Sequence, residues 1–269
     1  MAELERALVK VMARGARIML VPVLQRDVGP LSPQRRFEDA RAEVDAMLLA
    51  EIARRRREGG EGTDVLSMLL QARGEDGEPP SDRELRDHLV TLLLAGHETT
   101  ATTLAWTFER LVRHPAAMER ARAEALEGGH AYLDAVVQES QRIRPVITYV
   151  MRTLQAPMAV AGHEVPAGAT LGTSITLMHR RPDLFERPLE FCPERFVDAK
   201  PETYTWVPFG GGVRRCLGAP FASFEMHQVL DVVLSRRALG AADPRPERNR
   251  RRGITFVPAR GARVLAQPL

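Results

Sequence analysis

The stretch 81–114 holds no proline and keeps a helical pattern, and Pro115 ends it. At 1.5 Å per residue such a helix runs on the order of 50 Å, long enough to cross a whole domain. Ser81 and Glu84 open it with a Ser-x-x-Glu capping box. Its middle, 89–96, is apolar on nearly every side, which predicts burial all round. Helical spacing predicts further helices over 2–20, where Leu4, Leu8, Val11 and Met12 share a face, and over 37–57, 63–73, 115–126 and 131–144. A Pro/Gly stretch at 22–33 and Gly59-Gly60 separate the early ones.

Pro145 changes the texture. Residues 146–177 hold short strand-like runs with turn signals at Ala161-Gly162 and Pro166-Ala167-Gly168. Residues 182–208 are proline-rich and irregular. A glycine-rich loop at 210–212 leads into a last helix over 219–237, and the tail from 243 is basic and then weakly strand-like. The fold class expected is mainly α with a minor β part.

Composition removes several functions. Two cysteines, Cys192 and Cys216, are too few for a disulfide scaffold or a Cys-only zinc site, and they suit a reduced, cytoplasmic setting. The apolar run at 18–24 is too short to span a bilayer. A net charge of +3 does not point to nucleic acid. Five arginines lie within 245–252, but no aromatic or groove-entering element stands beside them, so they read as a solvated surface.

Two segments carry chemistry. In 209–218, Phe-Gly-Gly-Gly-Val-Arg-Arg-Cys-Leu-Gly, a cysteine stands just before a helix. A helix start brings partial positive charge, which favours a thiolate. Glycines let the backbone pass close to a flat group where a Cβ would collide. Phe209 can cover the sulfur, and Arg214 can pair with an anionic substituent. The alternative is a small hydrophobe at a helix start. A phosphate loop is excluded, because no Gly-Lys-Ser/Thr follows. In the long helix, Ala95-Gly96-His97-Glu98-Thr99-Thr100 sets a glycine and polar residues in an apolar environment. Either they line an exposed strip, or they serve a function that offsets the poor helix propensity.

Both segments resemble cytochrome P450 motifs. Phe209, Gly212, Arg214, Cys216 and Gly218 match the haem loop Phe-x-x-Gly-x-Arg-x-Cys-x-Gly. Residues 95–100 match the oxygen-activation motif at its fixed positions. The resemblance implies haem b, iron protoporphyrin IX, with Cys216 as its axial ligand. It implies that Ala95 and Gly96 leave space beside the iron, that Thr99 hydrogen-bonds dioxygen and delivers protons, and that Glu98 relays them. Glu139 and Arg142 resemble the family's Glu-x-x-Arg pair. Arg195, in Pro-Glu-Arg-Phe at 193–196, is its usual third member, and the three are expected to be structural. Arg152 stands where relatives often carry a second propionate-binding arginine. His179, in His-Arg-Arg-Pro, falls in a familiar region with no role assigned.

The implied activity is monooxygenation of a small hydrophobic organic substrate by O2. Electrons would come from NAD(P)H through a reductase and a ferredoxin- or flavodoxin-type donor docking near Arg214 and Arg215. Family members carry a further N-terminal part, so residues 1–269 are expected to be the C-terminal portion of a single domain. A truncated, inactive remnant is the alternative.

Overall fold

The computed structural model describes residues 2–21, 25–29, 32–59, 61–199, 201–202 and 204–269. Parts of the Pro/Gly stretch at 22–33, and Gly60, lie outside the described residues. The chain forms two compact units, 1–98 and 99–269.

The first unit holds α1 (Ala2–Leu20), α2 (Pro33–Arg57), α3 (Val65–Gln71) and the opening part of α4 (Asp82–Leu111). On α2, Ala40, Val44, Leu48 and Ile52 are buried at four-residue spacing, one stripe of the helix. Ala7 and Val11 of α1 pack on this stripe with Leu89, Val90 and Leu93 of α4. Ile52 continues it against Leu66 and Leu85. Local chemistry places the ends. The Ser32 hydroxyl accepts from Arg35 N–H at 3.2 Å with Pro33 in the first turn, so α2 starts four residues before the expected Phe37. Asp64 caps α3 through Ser67 N–H at 3.1 Å. The capping box forms as read: Ser81 N–H donates to Glu84 Oε2 at 2.8 Å, and Glu84 N–H donates to Ser81 Oγ at 3.3 Å.

Two expectations for α4 fail. Residues 89–96 are not buried all round. Leu89 and Leu93 are partly covered, but Leu92 is 44% exposed, and Ala95 and Gly96 are exposed. Its described neighbours here, α1, α2 and α3, pack along the stripe through Leu85, Leu89 and Leu93. The helix also stops at Leu111, short of His114. A residue before proline avoids the helical region, and His114 takes φ −129, ψ 81 as cap of the next helix.

The second unit begins inside α4 and adds α5 (Pro115–Glu127), α6 (Ala131–Ile143), a short α7 (Ile175–Met178) and α8 (Ala219–Leu234). Ala117, Ala121 and Ala125 of α5 pack against Leu133, Val136 and Val137 of α6 and Met226, Leu230 and Leu234 of α8. Among the described residues four antiparallel strand pairs form: β1 (Tyr149–Thr153) with β4 (Thr170–Ser174), β2 (Met158–Val160) with β3 (His163–Val165), β5 (Arg237–Ala241) with β8 (Val264–Pro268), and β6 (Asn249–Arg252) with β7 (Thr255–Pro258). Ala161 and Gly162, at φ 49 and 82, make the β2–β3 turn read from the sequence.

The last helix ends at Leu234 rather than 237, because Arg237 opens β5 and pairs with Pro268. The tail is tied down by a buried carboxylate. Glu109, 2% exposed, accepts from Arg113 Nε at 2.5 Å and Glu247 N–H at 3.1 Å. Glu247 in turn accepts the N–H groups of Arg260 and Ala262 at 3.0 and 3.1 Å. Among the described residues no helix is long and apolar enough to cross a membrane.

Candidate functional site

Cys216 sits on a loop made by left-handed backbone. Gly210 and Gly212 adopt φ +70 and +65, a region that strains any residue with a Cβ. Cys216 N–H closes the loop on the Phe209 carbonyl at 2.9 Å, and Arg215 N–H bonds the Gly212 carbonyl at 3.0 Å. α8 starts three residues after Cys216, and its N-cap Gly218 supplies no side-chain cap. The helix's partial positive charge is therefore not offset by a cap beside the sulfur. Phe209 anchors the loop in the second unit's core, with its ring 6.2 Å from that of Trp206. An open cleft of about 490 Å³ lies along Tyr204, Trp206, Phe209, Gly211 and Arg215; Cys216 does not line it.

The thiol itself is exposed. So are Val213 and Leu217 on either side of it, at 103% and 92%, and so is Arg214. A Cβ at Gly212 or Gly218 would meet nothing within 4 Å. A thiol flanked by bare apolar side chains and glycine, with a cation in the same loop, fits a flat apolar macrocycle that bears a metal and carboxylates. Cys216 would be the ligand, and Arg214 would meet a carboxylate.

A buried ionic cluster carries the segment that leads to the loop. Glu139 and Arg142, on one face of α6, are both fully buried. Arg142 uses all five of its N–H donors. Nε and Nη2 grip Glu139 at 2.7 Å each, Nη1 reaches the carbonyls of His179 and Pro188 at 2.8 and 2.7 Å, and Nη2 also reaches Glu190 O at 2.9 Å. Glu139 accepts Cys192 N–H at 2.8 Å. Arg195 does join them: its Nε stands 3.2 Å from Glu139 Oε2. That N–H is misdirected for a hydrogen bond, however, so the third member contributes charge rather than a directed bond.

His179, which has no role legible in the sequence, acquires one in the structure. His179 is fully buried. Its Nε2 accepts Val207 N–H at 2.9 Å, so Nδ1 carries the proton and donates to the Arg142 carbonyl at 3.2 Å. The ring thus joins the Glu139–Arg142 cluster to the strand of chain entering the cysteine loop. Trp206 adds a bond from Nε1 to Gln138 O at 3.2 Å. A lone histidine just ahead of the proline-rich stretch carries no local signal of this.

Burial pushes the His179 imidazole down to about 4, helped by the Arg142 charge and opposed by the Arg142 carbonyl. The unfolded group titrates near its ordinary 6.5. Between these values the unfolded chain binds the extra proton, so His179's contribution is complete above pH 6.5 and is lost as pH falls toward 4. The loss amounts to about 3 kcal/mol. Urea unfolding at pH 7 and pH 4.5 measures it, and His179→Gln should flatten that part of the pH dependence.

The polar segment of α4 remains helical throughout. Ala95 and Gly96 are exposed, Glu98 and Thr99 half-buried, and Thr100 buried. A Cβ on Gly96 would meet nothing within 4 Å. Thr103 Oγ1 donates to Thr99 O at 3.0 Å, and Thr107 Oγ1 to Thr103 O at 2.9 Å, a threonine column one turn beyond the motif. Ala95, Gly96 and Glu98 belong to the first unit, Thr99 and Cys216 to the second. Arg152 lies exposed on β1 opposite Leu171, with the Met151 carbonyl at 2.7 Å as its partner.

The Cytochrome P450 family profile matches residues 5–260. A Mycobacterium tuberculosis protein bearing the name cytochrome P450 137 is 49% identical over 231 residues, which is 85% of this chain and 48% of that protein. The protein named cytochrome P450 138, from Mycobacterium bovis, is 40% identical over 266 residues, 98% of this chain and 60% of that one. Among solved structures, the cytochrome P450DA heme domain superposes with a TM-score of 0.87 at 26% identity, covering 99% of this chain and 61% of that one. Retinoic acid-bound cyanobacterial CYP120A1 gives 0.85 at 28% identity, covering 97% and 62%. The chain therefore spans about half to three fifths of the length of these relatives.

Proposed function

The chain belongs to the cytochrome P450 family, and from that premise we propose that residues 1–269 are the C-terminal, cysteine-bearing portion of one haem-thiolate monooxygenase domain. The observation that carries this reading is the exposed Cys216 on a left-handed glycine loop at the start of α8, flanked by bare Val213 and Leu217.

When bound, haem b supplies the activation of O2 and the insertion of one oxygen atom into a small hydrophobic organic substrate, which a thiolate ligand favours. The protein's own part is to hold and orient. Cys216 presents its sulfur three residues ahead of α8, on a loop closed by its own backbone N–H to the Phe209 carbonyl. Val213 and Leu217 supply apolar contact for the macrocycle, and Arg214 supplies a donor for a propionate. Arg152 is a second propionate donor in this reading; reaching one requires it to leave the Met151 carbonyl. Thr99 holds a proton at Oγ1 for the oxygen site, and Glu98, half-buried, passes protons inward from solvent. Exposed Ala95 and Gly96 leave room beside them. Arg214 and Arg215, both exposed, offer cationic docking for a ferredoxin- or flavodoxin-type donor served by an NAD(P)H-dependent reductase.

A second reading, a chain with this fold and no turnover, is favoured by the bare apolar surface around Cys216. Turnover by the haem-loaded chain separates the two, and haem titration tests the ligand on which the first depends. We expect substoichiometric uptake by the 269-residue chain, together with aggregation, and a carbon monoxide difference band at the thiolate-ligated position from the fraction that binds. Haem uptake without that band would overturn the monooxygenase reading.

A further inference from the structure

Asp134, His227 and His130 form a hydrogen-bonded chain from a carboxylate through a buried ring to an exposed one. The carboxylate of Asp134 stands 3.0 Å from His227 Nδ1. A carboxylate can only accept, so Nδ1 carries the proton, and when the ring is neutral its lone pair lies on Nε2. That Nε2 faces Nδ1 of His130 at 2.6 Å. His227 is buried on α8, while His130 is exposed at the cap of α6. The two rings meet edge to face at 4.4 Å between centroids.

We propose that His130 and His227 form a two-histidine site for a transition-metal ion of the zinc, nickel or copper class, with Asp134 orienting His227 from behind. Carboxylate–histidine–metal is the usual order of such sites, because the carboxylate fixes the tautomer and raises the basicity of the ligand nitrogen. Two nitrogens at ordinary zinc distances in a tetrahedron stand about 3.3 Å apart. The rings must therefore part slightly from 2.6 Å, and exposed His130 is free to move outward. Binding also shifts the His130 proton from Nδ1 to Nε2, which exchanges with solvent, so no proton is lost overall. Among the described residues no group of three histidine, cysteine or carboxylate side chains could hold a metal, so water completes the coordination on the exposed side. Two imidazoles select borderline ions over magnesium or calcium, which prefer oxygen.

The ion would cross-link α8 to the turn before α6, so it should stabilise the folded chain. Zinc chloride at about tenfold excess over its dissociation constant should raise Tm by about 2–4 °C. Calorimetric titration of the full chain with zinc should show one site. His130→Ala, at an exposed position, should remove both the heat and the Tm rise. Asp134→Asn should weaken binding by about 10-fold or more. Absence of zinc binding, or unchanged binding in His130→Ala, would overturn the proposal. So would unaltered affinity in Asp134→Asn.

Discussion

Serine in place of Cys216 eliminates the thiolate-ligated ferrous–carbon monoxide band and leaves the fold intact. The fold survives because the side chain is exposed, and the loop is closed by backbone bonds from Cys216 to Phe209 and from Arg215 to Gly212. An exposed Cys→Ser change away from packing costs within about 0.5 kcal/mol. The band disappears because serine offers no sulfur to ligate the iron. The comparison is made on the haem-loaded protein, with circular dichroism and Tm measured beside the spectrum. Retention of the band by Cys216→Ser would remove the basis of the functional reading.

Arg142→Leu acts in the opposite way and should prevent stable folding whether or not haem is present. The substitution leaves the fully buried Glu139 carboxylate with Cys192 N–H and the poorly aligned Arg195. It also strips the carbonyls of His179, Pro188 and Glu190 of their Arg142 donors. Breaking one side of a buried ion pair costs about 3–5 kcal/mol, and the orphaned carbonyl of His179, which is buried, adds about 1 kcal/mol or more. Native domains hold about 5–15 kcal/mol in all. Arg142→Lys should rescue little, because one ammonium cannot replace a planar five-donor fork. Arg195→Leu should cost much less, since it removes a charge contact and no directed bond from Nε. Urea midpoints of the three variants check the order, and equal losses for Arg142→Leu and Arg195→Leu would refute this division of labour.

The motif residues were legible because each has a local reason. The capping box at Ser81 and Glu84, the i,i+3 pair at Glu139 and Arg142, and the glycines before Cys216 act within a few residues of each other. Other features were not. His179 gained its role only through Val207 and Arg142, 28 and 37 positions away. The His130–His227 contact joins residues 97 apart. The register of Arg237 opposite Pro268 turned an expected helix end into a strand.

Sequence alone determined the mainly helical class, the thiol on a glycine loop ahead of a helix, and the acid–base pair on α6. Dihedral preference, capping and helical periodicity are short-range forces written in adjacent residues. Tertiary structure alone decided which face of α4 is covered, that Arg195 lends charge without a directed bond, and that a neutral histidine joins the ionic cluster to the cysteine loop. Those outcomes depend on which distant groups arrive to desolvate or satisfy a side chain, and no local pattern encodes that arrival.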